Sequence, residues 1–396
     1  MYEVNELTQA LRRGNVEEAR QRLTQGEKLP ADLADYDQRQ ITDSLLRAKA
    51  FDIIDQLIKS RFVETDIYEY DKLDGSIYAA VFRNLGTTPE ELAFITSLLA
   101  KTDNINDAPG DVTLLELAFK TNAPLAHIEL LIAAGCDILR KNNYEETYLY
   151  KVIQEFNIKE NTGLVYLDFL IKNGVDPNAG NIVGETPLHL AVSKRQKAYI
   201  SFLLEQGADP NQANKKGESP FYAAIVHQVC DETLYRLLTA KTTPDFDAIT
   251  QTGETIIGGA LRMRSRGGEG ETKLIKALIN DGADVYQTSL WYSADKAALD
   301  WTAAHSADIL EAILDTGVVE LDRRDNEGNT LLHKICGHNV NYEQEVAKQL
   351  YRKVKMLIEA GADVNLTNDK DQTPLDLAAQ DNLKSKTVEL LLKHKA

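Results

Sequence analysis

Three side chains that could bind a metal lie close together in the segment His333-Lys-Ile-Cys336-Gly-His338. Imidazole and thiolate groups are ordinary zinc ligands, but a structural zinc site needs four ligands in a closed tetrahedral arrangement. The segment supplies only three. We therefore expect no metal and no cofactor.

A second candidate for chemistry is the glycine-rich segment GGALRMRSRGGEGE. It lacks the spacing of a phosphate-binding loop and the strand that precedes one, so we interpret residues 264–271 as a flexible surface insertion. Paired carboxylates such as Glu17-Glu18 fall on solvated helix faces, and no metalloprotease, serine-hydrolase or CxxC motif is present. The sequence predicts no catalytic residue and hence no enzyme.

The charge balance narrows the classes of partner. The chain has 44 Lys and Arg against 61 Asp and Glu, a net charge of −17. Nucleic-acid binding and docking to an anionic membrane both need clustered positive charge, so we expect neither. A basic protein partner suits this charge, and so does solubility alone.

Location is predicted from what the sequence lacks. The N-terminal residues MYEVNELTQALRR contain no apolar signal segment, and no apolar window is long enough to span a bilayer. The chain has three cysteines, Cys136, Cys230 and Cys336, which are far apart in sequence. An odd number of distant cysteines is typical of free thiols in a reducing compartment. We expect a cytoplasmic protein.

A short pattern recurs along the chain. It reads GVDPN from Gly174, GADPN from Gly207, GADVY from Gly282 and GADVN from Gly361, and Gly207 follows Gly174 by 33 residues. An apolar helical segment such as YLDFLIKNG or VKMLIEAG precedes each glycine, which ends the helix in a left-handed conformation.

A second block follows in phase. It reads GETPLHLAV, GESPFYAAI, GNTLLHKIC and DQTPLDLAA. Hydroxyl residues such as Thr186 and Thr330 can cap a helix, and prolines such as Pro187 suit its first position. Each repeat is therefore predicted to be a turn, a short helix, a tight loop and a longer helix.

The two blocks together resemble the ankyrin-repeat family. The resemblance implies an all-α ankyrin-repeat solenoid of helix–loop–helix units with hairpin-like connecting loops, arranged as a single curved array. It also implies that His189 and His333 make structural hydrogen bonds between repeats, and that Cys336 packs against a helix.

Extending the register predicts about eleven repeats over residues 1–396. Residues 1–106 would be degenerate N-terminal capping repeats. Residues 107–396 would be clearer repeats with insertions at 264–271 and 337–350.

Such repeats leave two kinds of side chain free, at the hairpin tips and at the end of each first helix. The repeat register also assigns Val183 and Gln251 to hairpin tips. The candidate partner-binding residues are Tyr144, Lys215, Lys216, His227, Met263, Trp291, Tyr292, His305 and His338.

The predicted function is protein binding without catalysis, as an adaptor or an inhibitor that occludes its target, by a chain that is a monomer on its own. Two alternatives stay open: an immunity or antitoxin-type inhibitor of a basic toxin, and an enzyme with a site in the irregular region 253–350. A further alternative places binding on the acidic residues near Glu64 and Asp71.

Overall fold

A computed structural model describes residues 5–30, 33–228, 232–291 and 294–395. The chain divides into a first unit, residues 1–182, and a second unit, residues 183–396. Each unit is built from helices that follow one another in pairs.

The helices of the first unit are α1 (Glu6–Arg12), α2 (Val16–Thr24), α3 (Asp35–Arg47), α4 (Phe51–Lys59), α5 (Ile77–Asn84), α6 (Pro89–Leu99), α7 (Leu114–Lys120), α8 (Leu125–Ala133), α9 (Tyr148–Gln154) and α10 (Glu160–Lys172). Short 3-10 turns lie at Ile67–Glu69, Leu73–Gly75 and Pro109–Asp111. The first helices of the pairs pack in chain order, α1 on α3, α3 on α5, α5 on α7 and α7 on α9.

The second unit contains α11 (Pro187–Ser193), α12 (Lys197–Glu205), α13 (Pro220–Tyr222), α14 (Glu232–Leu238), α15 (Ile256–Met263), α16 (Glu269–Asn280), β1 (Thr288–Trp291), β2 (Ala294–Ala297), α17 (Ala307–Leu314), α18 (Leu331–Gly337), α19 (Gln344–Glu359), α20 (Pro374–Ala378) and α21 (Ser385–His394). A π-helical turn at Ala223–His227 continues α13, and 3-10 turns lie at Ala298–Ala303 and Asn382–Lys384.

Two rows of helices make up the second unit. The first-helix row is α11, α13 with its π turn, α15, the 3-10 turn Ala298–Ala303, α18 and α20. The second-helix row is α12, α14, α16, α17, α19 and α21. Neighbours within each row are in contact, and apolar side chains such as Leu188, Leu203 and Leu278 are fully buried between the rows.

Local sequence explains the helix starts. The hydroxyls of Thr186 and Thr330 accept hydrogen bonds from the backbone N–H groups of His189 and His333, as the capping prediction required. The aspartate of the GADPN pattern closes the loop that follows each pair, because the Asp209 carboxylate accepts the N–H of Asn211 at 2.8 Å. The all-α ankyrin fold is confirmed, with one addition.

The addition is a small antiparallel hairpin. Strands β1 and β2 pair from Thr288 with Ala297 to Trp291 with Ala294. This hairpin replaces the short polar turn that the repeat predicts at that place. Both regions predicted as insertions are partly helical, since α16 begins at Glu269 and α19 at Gln344.

Candidate partner-binding surface

The loops between helix pairs end in tight turns, which we call tips, and backbone hydrogen bonds join successive tips. In the second unit, Lys215 donates its N–H to the Val183 oxygen at 2.9 Å, and Gln251 donates to the Lys216 oxygen at 2.8 Å. In the first unit, Ile182 donates to the Tyr144 oxygen at 2.8 Å. The tips of each unit are therefore held in fixed register.

Five of the predicted contact residues have exposed side chains. Lys215 and Lys216 are exposed at one tip, and Met263 is 53% exposed at the end of α15. His227 is exposed at the end of the π turn, and Tyr144 is 62% exposed at a tip of the first unit. Their binding role stays a prediction.

The expected exposure of His305 is wrong. Its side chain is only 7% exposed, and its Nε2 lies 2.6 Å from the backbone oxygen of Leu261. The imidazole ring is hydrogen-bonded to this backbone oxygen, which lies near the end of α15. The reason is that the preceding helix needs a partner at its C-terminus, and this histidine supplies it.

The remaining predicted contact residues are His338, Trp291 and Tyr292, and the structure describes them to different extents. His338 is half-buried after the end of α18. The backbone of Trp291 ends strand β1, while its side chain is not described and Tyr292 lies outside the described residues.

Two exposed apolar side chains were missed by sequence reasoning. Ile249 is 59% exposed and Leu290 is 57% exposed. Leu290 lies against Gly253, one tip beyond Gln251. We name Val183, Lys215, Lys216, Ile249, Gln251 and Leu290 the tip row. The sequence signal was weak, since neither residue occupies a place that the repeat pattern marks as a contact.

An ion pair braces the helix ends beside the tip row. The Glu254 carboxylate accepts hydrogen bonds from Arg262 Nε at 2.6 Å and Nη2 at 3.0 Å, and from the Tyr222 hydroxyl. Burial acts to raise the pKa of Glu254, but the bonds from Arg262 and Tyr222 prevail and lower it. The carboxylate therefore stays ionised and holds Arg262 next to Met263.

The two histidines of the repeated block, His189 and His333, are held by hydrogen bonds on both ring nitrogens. His189 joins Thr186 through Nδ1 and the backbone oxygen of Glu218 in the next repeat through Nε2 at 3.0 Å. His333 makes the matching pair of bonds to Thr330 and Gln372. Their predicted structural role is confirmed. Cys336 is fully buried, and burial raises the pKa of its thiol to about 12.

Burial of the histidines predicts acid sensitivity. It lowers the pKa of His189, His305 and His333, and lowers that of His338 to about 4. Between about pH 6.5 and 4 the unfolded chain binds protons that the folded chain does not, so the free energy of unfolding should fall as the pH falls. Urea denaturation at several pH values checks this. The free energy of unfolding of His338→Gln should fall less over this pH range. An equal fall would mean that His338 does not have a lowered pKa in the folded chain.

The described residues contain no group of three or more His, Cys, Asp and Glu side chains placed to hold a metal ion. Among these residues there is also no helix with both the length and the apolar character needed to cross a membrane.

Comparison with known proteins bears on residues 159–249, which match the family model of ankyrin repeats in three copies. A similar solved structure is the ankyrin repeat domain of Bcl-3, described as a unique member of the IkappaB protein family. It is 21% identical, with a TM-score of 0.48, and the match covers 61% of this chain and 98% of that chain. No curated protein matches the sequence.

The family match agrees with the paired helices, the capped TPLH blocks and the linked tips. Ankyrin repeats are typically non-catalytic modules that bind other proteins. Residues 159–249 are therefore ankyrin repeats, which indicates a protein-interaction module.

Proposed function

We propose that this chain binds a partner protein through the tip row of its second unit together with His227 and Met263. The binding is non-catalytic, and the chain acts as an adaptor or an occluding inhibitor. It works in the cytoplasm as a monomer until the partner binds. Trp291 and Tyr292, which follow Leu290 directly, are proposed as further contacts.

The observation that carries the proposal is the set of exposed apolar side chains on the tips of the second unit. Val183, Ile249 and Leu290 are each about half exposed or more. Isolated apolar residues are common on protein surfaces, whereas contiguous exposed apolar groups mark interaction sites. The tip with Lys215 and Lys216 lies between those of Val183 and Ile249, so the tip row presents apolar and charged side chains next to one another.

Preorganisation supports the same surface. The backbone bonds between tips and the Glu254–Arg262 ion pair hold the contact residues before any partner arrives. Binding then costs less conformational entropy than it would on mobile loops. A surface fixed in this way suits one specific partner.

The test compares two double variants. Ile249→Asp with Leu290→Asp places charges on the tip row, and Val318→Asp with Leu392→Asp places the same charges on exposed apolar residues elsewhere in the second unit. Affinity capture from cell extract, followed by measurement of binding to the recovered protein, should show at least a tenfold loss for the first variant. The second variant should bind normally.

Circular dichroism must show that both variants fold. Equal binding by both variants would exclude the tip row. A third variant, Glu64→Lys with Glu69→Lys, tests the acidic alternative of the first unit. Loss of binding in this variant alone would replace the proposal with electrostatic capture of a basic partner.

A further inference from the structure

A polar cavity of about 140 Å³ lies in the first unit, between the loops that precede α7 and α9. Six charged side chains line it: Asp107, Asp111, Glu116, Arg140, Glu146 and Lys151. Four of these side chains are carboxylates and two are cations. The cavity is therefore lined mainly by groups that attract positive charge, and the proposed function does not use it.

Hydrogen bonds hold the walls of the cavity in place. The Thr113 hydroxyl accepts the N–H of Glu116 at 3.1 Å, which fixes the turn that carries this glutamate. The same hydroxyl lies 2.8 Å from the hydroxyl of Tyr148 on the opposite wall. Arg140 donates to the backbone oxygen of Asn106, which ties the two loops together. A guest would meet a site that is formed in advance.

The lysines at the cavity already contact carboxylates. Lys151 Nζ lies 3.2 Å from Glu116 Oε1 and 3.7 Å from Glu146 Oε2. Lys120 lies next to the cavity, with its Nζ 2.9 Å from Glu116 Oε1 and 3.5 Å from Glu155 Oε1. Counting Lys120 and Glu155 with the six lining side chains still leaves two more carboxylates than cations.

Asp107 and Asp111 supply this excess of negative charge. Within the part of the chain that the structure describes, neither aspartate forms an ion pair. The Asp111 carboxylate accepts the side-chain amide of Asn143 at 3.3 Å, which is long for such a bond. Both carboxylates therefore keep most of their capacity to bind a cation.

The charges around the cavity do not cancel the excess. Lys72 approaches one loop, because its Cγ would lie 3.4 Å from a Cβ added to Gly110, but Asp71 directly precedes this lysine. On the other loop, Lys141 and Glu145 are both exposed. Each further cation is thus accompanied by a carboxylate.

Glu116 adds a buried acceptor to the cavity. Its side chain is 5% exposed, and its Oε1 accepts no hydrogen bond from the described residues. Lys120 and Lys151 contact this oxygen in a geometry that neutralises its charge without making a hydrogen bond. A buried acceptor without a donor costs free energy, so a guest that brings N–H groups would be favoured here.

We infer that this cavity binds the guanidinium group of an arginine side chain from a basic segment of another protein. A guanidinium group carries five N–H donors in one plane and can bind carboxylates on more than one wall, while an ammonium group carries three on one atom. The space is sufficient, since cavities of about 150 Å³ hold a benzene ring. The inference adds a site in the first unit and does not rest on the proposed function.

Two other classes of guest fit less well. An anion would meet the excess of carboxylates. A divalent metal ion needs several oxygen ligands close together, and the described residues contain no group of three or more His, Cys, Asp and Glu side chains placed to hold one. The arginine side chain satisfies both the charge and the number of acceptors.

The experiment uses the full chain and the capped peptide Gly-Gly-Arg-Gly-Gly as the probe. Its matched control has citrulline in place of arginine, which keeps the shape and removes the charge. A second control has lysine. NMR titration follows the backbone amide signals of residues 107–116 and 140–148. The arginine peptide should shift these signals, the citrulline peptide should not, and the lysine peptide should bind more weakly than the arginine peptide.

Two double variants test the carboxylates. Asp107→Asn with Asp111→Asn removes the excess charge and should weaken binding of the arginine peptide at least about tenfold. Glu129→Gln with Glu160→Gln removes the same charge from exposed positions on α8 and α10 and should weaken binding less than about twofold. Thermal denaturation must show that both variants fold.

Equal binding of the arginine and citrulline peptides, or an equal loss in the two double variants, would overturn the inference. A lysine peptide that binds as tightly as the arginine peptide would overturn the choice of a guanidinium group. The tip-row variant Ile249→Asp with Leu290→Asp should bind the arginine peptide normally. Loss of peptide binding in that variant would place the peptide on the tip row and overturn the cavity as its site.

Discussion

Replacing Lys353 with methionine is expected to lower the free energy of unfolding by about 3 kcal/mol. The side chain is 1% exposed, and its ammonium donates to three backbone oxygens. Methionine keeps much of the aliphatic volume and removes every donor. The carbonyls of Ala303 and His305 are then left buried without that partner.

Two opposing effects decide the size of this change. Burial lowers the pKa of Lys353 to about 8, so keeping it charged at neutral pH costs at most about 3 kcal/mol. Three hydrogen bonds from a charged donor contribute about 1.5–3 kcal/mol each. The neutral amine also donates hydrogen bonds to these oxygens, so the lysine stabilises the fold even though burial disfavours its charged form.

The pH dependence gives a second signature. Between about pH 8 and 10.5 the unfolded chain keeps the Lys353 proton and the folded chain releases it, so the wild-type free energy of unfolding rises with pH relative to Lys353→Met. Urea denaturation across this range measures the gap. Lys348→Met on the same helix, a change of an exposed lysine, should alter stability by less than about 0.5 kcal/mol. A constant gap would contradict burial of the ammonium.

Gly217→Ala should be the second severe change, with a loss of about 2–5 kcal/mol. Gly217 has a φ of +77°, and a Cβ there would lie 2.9 Å from the Ile249 oxygen and 2.9 Å from the Thr250 Cα. Both are backbone atoms of the next tip, which cannot turn away as a side chain can. The substitution must push apart two linked tips.

Gly207→Ala is the matched control. Its φ is +86°, but no atom lies within 4 Å of the added Cβ, so it isolates the strain of the left-handed backbone. That strain costs about 1–2 kcal/mol. Thermal and urea denaturation should therefore rank Gly217→Ala well below Gly207→Ala in stability. Equal losses would mean that the tips are not in close contact.

The repetitive part of the fold could be predicted from sequence because its signals are local. Thr186 caps the helix that begins at Pro187, and Gly207 has the positive φ that ends a helix. The structural hydrogen bonds of His189 could also be predicted, since this histidine has a fixed place in the recurrent block. Each of these depends on residues a few positions apart.

The parts that could not be predicted depend on distant partners. Lys353 and the carbonyls that it caps are about 50 residues apart, and His305 meets Leu261 across 44 residues. No repeat pattern records these pairings. The exposure of Ile249 and Leu290 depends on how neighbouring tips stack, which the sequence leaves open.

Hydrogen–deuterium exchange of the chain, free and bound to the partner recovered by capture, tests binding at the tip row most sharply. Binding to the tip row predicts slower exchange at residues 183, 215–216 and 249–251 and at the ends of the π turn and α15. Exchange in α12 and α21 should stay unchanged. Protection confined to residues 64–71 of the first unit, with none in the second unit, would contradict binding at the tip row.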